Sequence, residues 1–186
     1  MIIRRNFHRT KQQIHHILTV DFGHDIILSQ MKKIELICIG DLKFEALKEL
    51  EQKYIQKINF FIPFTIRTVK DVKVKSPDDE LKVKKEGQVI LALLDKKDFV
   101  IALDQQGKKM NSIEFSRLLS DKISWHPASI VFLIGGHAGL SRLLDSRIDF
   151  KLSFSDMTFA HDVFRIVFLE QLYRAFTIIK GIKYHR

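Results

Sequence analysis

The chain has 186 residues, of which 46% are hydrophobic and 28% charged, and its formal net charge is +9. This composition is typical of a globular domain, and no apolar run reaches the roughly 18–20 residues of a membrane helix, so we predict a soluble chain. The excess of Lys and Arg attracts polyanions, of which nucleic acid is the commonest and an anionic membrane surface the next; we predict nucleic acid as the partner, and no membrane. The single cysteine, Cys38, lies in an apolar strand pattern and can supply neither an internal disulfide nor a metal cluster, so we predict no metal.

Residues 1–30 differ in composition from the rest of the chain. Met31 begins a stretch that resembles an N-terminal strand ending at Gly40. We therefore predict that residues 1–30 are an N-terminal extension outside the fold and that one domain spans residues 31–186. An alternative stays open, because the Arg-rich, acid-free first 20 residues also resemble a transit peptide.

Helix and strand patterns alternate through the middle of the chain. Apolar residues at every fourth position predict an amphipathic helix over 42–58, and the stretch rich in Phe, Ile and Thr over 59–69 predicts a strand. Ser76 and Pro77, followed by three acids, predict the start of a helix that runs to about Leu94. A strand over 98–104 with a turn at 105–108 follows, and then a helix capped by Asn111 or Ser112 that reaches about Ile123.

The last third contains two strands that each end in a loop feeding a helix. A strand over 129–134 leads into a glycine turn at 135–140 and a short helix. A second strand over 150–154 leads through residues 155–161 into a long helix, with Thr158 as its expected cap. The complete order predicts an α/β fold with a largely parallel sheet and helices on both faces. Ligands bind such sheets at the carboxyl ends of the strands, where both loops lie.

The glycine turn does not have the spacing of a dinucleotide-binding loop, and no phosphate-binding Gly-Lys-Ser/Thr follows it. A nicotinamide or nucleoside triphosphate site is therefore disfavoured. The long helix has an apolar stripe that we expect to be chiefly core: Val163, Ile166, Val167, Leu169, Leu172, Phe176 and Ile179. The same helix has a polar set that a core role does not explain: His161, Arg165, Glu170, Gln171, Tyr173 and Arg174. Its tyrosine, histidine and arginine side chains suit stacking on bases and binding phosphates.

Three sequence blocks, Leu133 to Leu140, Leu152 to His161, and Glu170 to Ala175 with Tyr184 to Arg186, occur in a fixed order. Together they resemble the ribosomal RNA large subunit methyltransferase H family of the SPOUT class. The resemblance spans residues 31–186. It implies an α/β fold with a C-terminal trefoil knot, S-adenosylmethionine as cofactor and a cytoplasmic homodimer. The implied reaction is methylation of N3 of a pseudouridine in 23S rRNA, on assembled ribosomes.

The resemblance also implies roles for individual positions. The cofactor pocket would comprise Leu103, Gly135, Phe154, Ser155, Asp156, Met157, Thr158 and Phe159. The active-site and RNA-contacting group would comprise His161, Arg165, Tyr184 and His185. An imide nitrogen becomes nucleophilic when it loses its proton, so His161 or His185 is a candidate base, and Arg165 is a candidate for stabilising negative charge.

Two positions depart from the family pattern. Ala160 replaces a proline that usually precedes the histidine, and we expect slower or weaker cofactor binding rather than inactivity. His137 stands where a small residue or proline is more common, and we expect it to point outward from the turn. Two other functions stay open: a catalytically silent RNA-binding or ribosome-associated dimer of the same fold, and an α/β enzyme for a small anionic metabolite.

Overall fold

The computed structural model describes residues 32–72 and 79–184. The extension predicted for residues 1–30, the helix start predicted at Ser76 and Pro77, and His185 lie outside the described residues. In chain order the elements are β1 (Ile34–Ile39), α1 (Glu45–Asn59), β2 (Phe64–Val69), α2 (Asp79–Leu93), β3 (Phe99–Lys109), α3 (Ser112–Trp125), β4 (Ile130–Ile134), a 3₁₀ turn (Arg142–Leu144), β5 (Phe150–Ser153) and α4 (His161–Ile179).

The five strands form one sheet in the order β2-β1-β4-β3-β5, and every neighbouring pair is parallel. The central strands β1 and β4 are buried along their whole length, as expected for parallel strands covered on both faces. This arrangement confirms the predicted α/β fold with a parallel sheet. It also brings the ends of β3, β4 and β5 to one rim, where the loops that follow β4 and β5 begin.

Side chains on the two faces of the sheet enter two separate hydrophobic clusters. On β1, Leu36 and Cys38 belong to the cluster that packs against α1, α3 and α4, whereas Ile37 and Ile39 belong to the cluster that packs against α2. This alternation follows from the two-residue period of a strand. It confirms helices on both faces, and it confirms Cys38 as a small buried residue, 1% exposed.

The strand predicted over 59–69 is wrong at its start. Helix α1 continues to Asn59, and β2 begins only at Phe64. The Asn59 side chain explains the boundary, because its Nδ2 donates to Ile55 O at 3.0 Å and to Phe64 O at 3.1 Å, while its Oδ1 accepts from Phe64 N at 2.9 Å. One amide side chain thus ends the helix and fixes the start of the next strand.

The turn predicted at 105–108 is also wrong, because β3 continues to Lys109. Leu152 of β5 pairs with both Leu103 and Lys108, so residues 104–107 bulge out of the ladder and the pairing then resumes. Gly107 permits the close approach: a Cβ there would lie 2.6 Å from Leu152 N. The pairing with β5, which local sequence does not reveal, overrides the polar Gln-Gln-Gly pattern.

Two of the predicted helix starts lie within the described residues and rest on a capping side chain, and their outcomes differ. Asn111 caps α3, and Glu114 completes a capping box, which confirms one of the two candidates. Thr158 does not cap α4. The N-cap is Ala160, which makes no side-chain hydrogen bond, so that prediction is wrong.

The predicted core stripe of α4 is largely confirmed, with Ile166, Leu169 and Leu172 buried. Val163 is the exception at 45% exposed. No helix within residues 32–72 and 79–184 has both the length and the apolar character of a membrane span.

Candidate functional site

A cleft of about 600 Å³ opens at the carboxyl ends of β3, β4 and β5. Its walls come from the β3 bulge, the glycine turn after β4 and the loop between β5 and α4. The residues predicted for a cofactor that line it are Leu103, Gly135, Phe154, Ser155, Met157, Thr158 and Phe159. The structure therefore brings together all but one of the predicted pocket residues.

Asp156 is the predicted pocket residue that does not line the cleft. Its carboxylate binds Lys109 Nζ, with N–O distances of 2.5 and 2.6 Å, and its carbonyl accepts from Gln105 Nε2 at 2.6 Å. These contacts join the loop after β5 to the β3 bulge. Asp156 thus positions the wall of the cleft from outside.

The glycine turn forms the opposite wall and is tightly closed. Gly139 N donates to Gly136 O at 3.0 Å, and Gly139 has a φ of +83°, which favours glycine. A Cβ on Gly135 would lie 2.5 Å from Gly139 C and 2.7 Å from Gly139 O. The backbone of the turn therefore closes on itself, and its residues 135–140 all line the cleft.

His137 is exposed at the mouth of this turn, as predicted. Its Nε2 lies 3.3 Å from Asp79 Oδ1 at the start of α2, and both side chains are more than half exposed. The residue nevertheless lines the cleft. Its contact with Asp79 links the glycine turn to α2.

Glu86 of α2 is a buried carboxyl beneath the turn, 4% exposed. Its Oε1 accepts from Val72 N at 3.5 Å, and its Oε2 lies 3.8 Å from where a Gly136 Cβ would stand. Burial raises the pKa of this carboxyl above its ordinary value, and the Val72 N–H and the Lys82 charge oppose the rise.

Replacing Glu86 with glutamine is expected to raise the free energy of unfolding at neutral pH. Folding raises the pKa of Glu86, so the free energy of unfolding of the wild-type protein falls as the pH rises from the unfolded pKa, about 4.5, through the folded pKa. The stability gained by Glu86→Gln should therefore vanish in acid. Urea unfolding between about pH 4 and pH 8 measures this. Glu49→Gln, at an exposed position of α1, is the matched control. A lower stability of Glu86→Gln at neutral pH would contradict the expectation.

His161 is the first residue of α4 and lines the cleft. Its Nε2 lies 2.6 Å from Asp162 Oδ1 and would be 3.6 Å from a Cβ on Gly40. The ring therefore lies over the backbone at the end of β1, with one third of the side chain exposed. Of the predicted catalytic residues in the described part of the chain, His161 is the one that lines the cleft.

Arg165 lies one turn further along α4 and does not line the cleft. It is 6% exposed, and its Nε forms an ion pair with Glu51 of α1. Its terminal nitrogens lie 3.4 Å from Gly40 O and 3.4 Å from Thr68 Oγ1. In this structure Arg165 fastens the ends of β1 and β2 to α1 and α4, behind His161.

Tyr184 lies far from the cleft in its own chain. Its hydroxyl lies 3.4 Å from Glu170 Oε1, and its ring packs against Tyr173 at 4.9 Å and under Arg174 at 5.0 Å. Glu170 is about 13 Å along the helix from His161, at about 1.5 Å per residue. A single chain therefore does not bring Tyr184 to His161.

Several cleft residues were not predicted from the sequence. They are Asp104, Gln105 and Gln106 of the bulge, and Ile134, Gly136, Ala138, Gly139, Leu140, Arg142, Leu152, Ser153 and Phe164. Two features of the sequence could have indicated part of this set. They are the glycine turn and the polar residues after Leu103, which were interpreted as an ordinary turn. No group of three His, Cys, Asp or Glu side chains suited to a metal ion occurs in the described part of the chain.

A family profile described as "Predicted SPOUT methyltransferase" matches residues 31–185. The chain belongs to the SPOUT methyltransferase family. The cleft at the ends of β3, β4 and β5 lies wholly within the matched residues.

Within this SPOUT family, the chain is similar to proteins named ribosomal RNA large subunit methyltransferase H. The protein of that name from Carboxydothermus hydrogenoformans is 40% identical over 158 residues, which cover 83% of this chain and 99% of the relative. Those from Christiangramia forsetii and Flavobacterium johnsoniae are each 38% identical over 153 residues, covering 82% of this chain and 98% of the relative. The family resemblance of the three sequence blocks is thus confirmed, and the trefoil knot that it implies stays a prediction.

Proposed function

We propose that the chain uses S-adenosylmethionine to methylate N3 of a pseudouridine in 23S rRNA, on assembled ribosomes in the cytoplasm. The observation that carries the proposal is the cleft, in which seven predicted cofactor residues and His161 line one space within a chain of the methyltransferase family. The names of its relatives support an rRNA substrate, and the net charge of +9 suits a large polyanion.

The cleft has the chemistry that the cofactor requires. Leu103, Ile134 and Leu152 offer apolar surface to an adenine ring, and the glycine turn offers backbone donors and acceptors. Met157 and Phe159 are 74% and 43% exposed at the rim, which suits apolar side chains that a ligand or RNA covers. When bound, S-adenosylmethionine supplies an electrophilic methyl group on a sulfonium sulfur, and the cleft residues hold it in line with the acceptor.

The predicted catalytic residues differ in position, since His161 lines the cleft and Arg165 lies behind it. His161 faces the cleft and takes the proton of the acceptor nitrogen. Arg165 acts from behind, by binding the carbonyl of Gly40, the residue against which the His161 ring lies. Because Tyr184 lies remote from the cleft of its own chain, we place its contribution, and that of His185, in a homodimer whose second copy brings its tail to the site.

Calorimetric titration with S-adenosylmethionine tests the proposal, with Ala160→Pro as the matched variant. The φ of Ala160 is −58°, which proline can adopt, so the variant should fold, gain up to about 1 kcal/mol of stability and bind the cofactor more tightly. Saturable binding followed by methyl transfer to ribosomes is the expected result. Absence of binding in both proteins would favour the catalytically silent RNA-binding dimer, and turnover independent of ribosomes would favour a small-metabolite enzyme.

A further inference from the structure

His161 and Asp162 are neighbours at the start of α4, yet their surroundings differ. The His161 side chain is 33% exposed and lines the cleft, whereas the Asp162 side chain is 10% exposed and lies within the protein. The two meet through His161 Nε2 and Asp162 Oδ1, 2.6 Å apart. One member of the pair thus reaches a ligand and the other does not.

The buried Asp162 carboxylate needs a positive or hydrogen-donating partner. Its Oδ1 has no exposed surface and makes no well-angled hydrogen bond to any residue of 32–72 and 79–184. Its position in the first turn of α4 supplies part of the compensation, since a helix N-terminus stabilises negative charge. The His161 ring at 2.6 Å supplies the rest. Hydrogen bonds of catalytic groups are often poorly aligned in the free enzyme and tighten when substrate binds.

Other charged groups near this pair are already engaged with one another. Arg165, on the same helix, forms its ion pair with Glu51 of α1 and contacts the Gly40 carbonyl at the end of β1. Burial raises the pKa of Glu51, and the charge of Asp41, which follows Gly40, adds to that rise. Since Arg165 is neutralised by Glu51, the negative charge of Asp162 is left to act on His161.

We propose that Asp162 is a positioning residue that holds His161 in the tautomer protonated on Nε2, so that Nδ1 is the nitrogen that accepts the substrate proton. A carboxylate that accepts from one ring nitrogen fixes the proton there and leaves the other nitrogen basic. The same carboxylate stabilises the imidazolium that forms. The proton transfer from the substrate rests on the proposed function, whereas the tautomer of His161 does not depend on it.

The proton and electron balance of the step is complete. The N3–H bond of the base breaks, its proton bonds to His161 Nδ1, and its electron pair remains on N3. With S-adenosylmethionine bound, that pair would form the new bond to the methyl carbon as the carbon–sulfur bond breaks, and the sulfur would retain the electrons of that bond. The imidazolium then carries protons on both nitrogens, with the Nε2 proton directed at Asp162, and returns the Nδ1 proton to solvent.

Nitrogen-15 NMR of the full-length protein tests the tautomer without any turnover. At a pH where the ring is neutral, the His161 resonances, assigned by their loss in His161→Gln, should show a protonated Nε2 and an unprotonated Nδ1. The opposite tautomer, or an even mixture of the two, would overturn the proposal. Because the wild-type spectrum decides, the test does not depend on whether a variant folds.

Asp162→Asn extends the test to catalysis. The amide removes the negative charge, so kcat for methyl transfer should fall by about 100-fold, while KM for the cofactor changes little and the Nε2–H tautomer loses its dominance. Glu45→Gln is the matched control, because it removes an exposed acid from the first turn of α1 and should retain wild-type kcat. Unchanged kcat in Asp162→Asn would overturn the catalytic role. A wild-type protein inactive on ribosomes that still has the Nε2–H tautomer would refute the proposed function alone.

Discussion

Replacing Arg165 with methionine is expected to lower the free energy of unfolding by about 3–5 kcal/mol, because Glu51 then stays buried without its partner. The change also removes the contacts to Gly40 O and Thr68 Oγ1. Burial raises the pKa of Glu51, and Arg165 opposes that rise. Without Arg165 the carboxyl takes up a proton more readily, so the loss of stability should shrink as the pH falls. Urea unfolding at acidic and at mildly alkaline pH measures both effects.

The double variant Glu51→Leu with Arg165→Met is the control for this experiment. Two apolar residues of similar size remove both buried charges together, so most of the lost stability should return. Methyl transfer should remain impaired in the double variant, because the Gly40 carbonyl has lost its hydrogen bond from Arg165 and the His161 ring lies against Gly40. Recovery of full activity along with stability would show that the ion pair serves only the fold.

The fold could be predicted from the sequence where local pattern and tertiary position agree. Strand β4 is a continuous apolar run, and β1 is apolar apart from Glu35. They lead into Gly135 and Gly40, and the structure buries both strands completely. The prediction failed where pairing with a strand distant in the sequence determines the secondary structure. The polar stretch after Leu103 resembles a turn, and only its pairing with Leu152 of β5 shows that the strand continues.

The site was predictable to a similar degree and for a similar reason. His161 and Arg165 are four residues apart on one helix, so sequence alone places them on one face. Arg165 is buried and His161 is not, because Arg165 forms an ion pair with Glu51. Glu51 lies far from both residues in the sequence, and the packing of α1 brings it into contact with Arg165. An acid in the first turn of a helix, such as Asp162, suits the helix dipole, and its position in the sequence indicates no more than that. Its burial beside the His161 ring, which the pattern does not encode, adds the second role.

Replacing Gly135 with alanine is expected to weaken cofactor binding by about ten- to a hundredfold. The new Cβ would lie 2.5 Å from Gly139 C, 2.7 Å from Gly139 O and 2.9 Å from Leu140 N, and these backbone atoms cannot rotate away. Overpacking of this kind costs about 1–3 kcal/mol, and each 1.4 kcal/mol or so changes affinity tenfold. The turn must open to accept the methyl group, which moves its peptide groups out of the cleft. Calorimetric titration with S-adenosylmethionine measures the loss.

Gly136→Ala is the matched control, one residue further along the same turn. A Cβ there would meet only the Ile39 side chain at 3.3 and 3.7 Å and Glu86 Oε2 at 3.8 Å, and these side chains can shift by a few tenths of an ångström. Its effect on cofactor affinity should therefore be several times smaller than that of Gly135→Ala. Equal losses in the two variants would mean that any added methyl group on this turn impairs binding, and the closed backbone contact between Gly135 and Gly139 would then not be the feature that shapes the cleft.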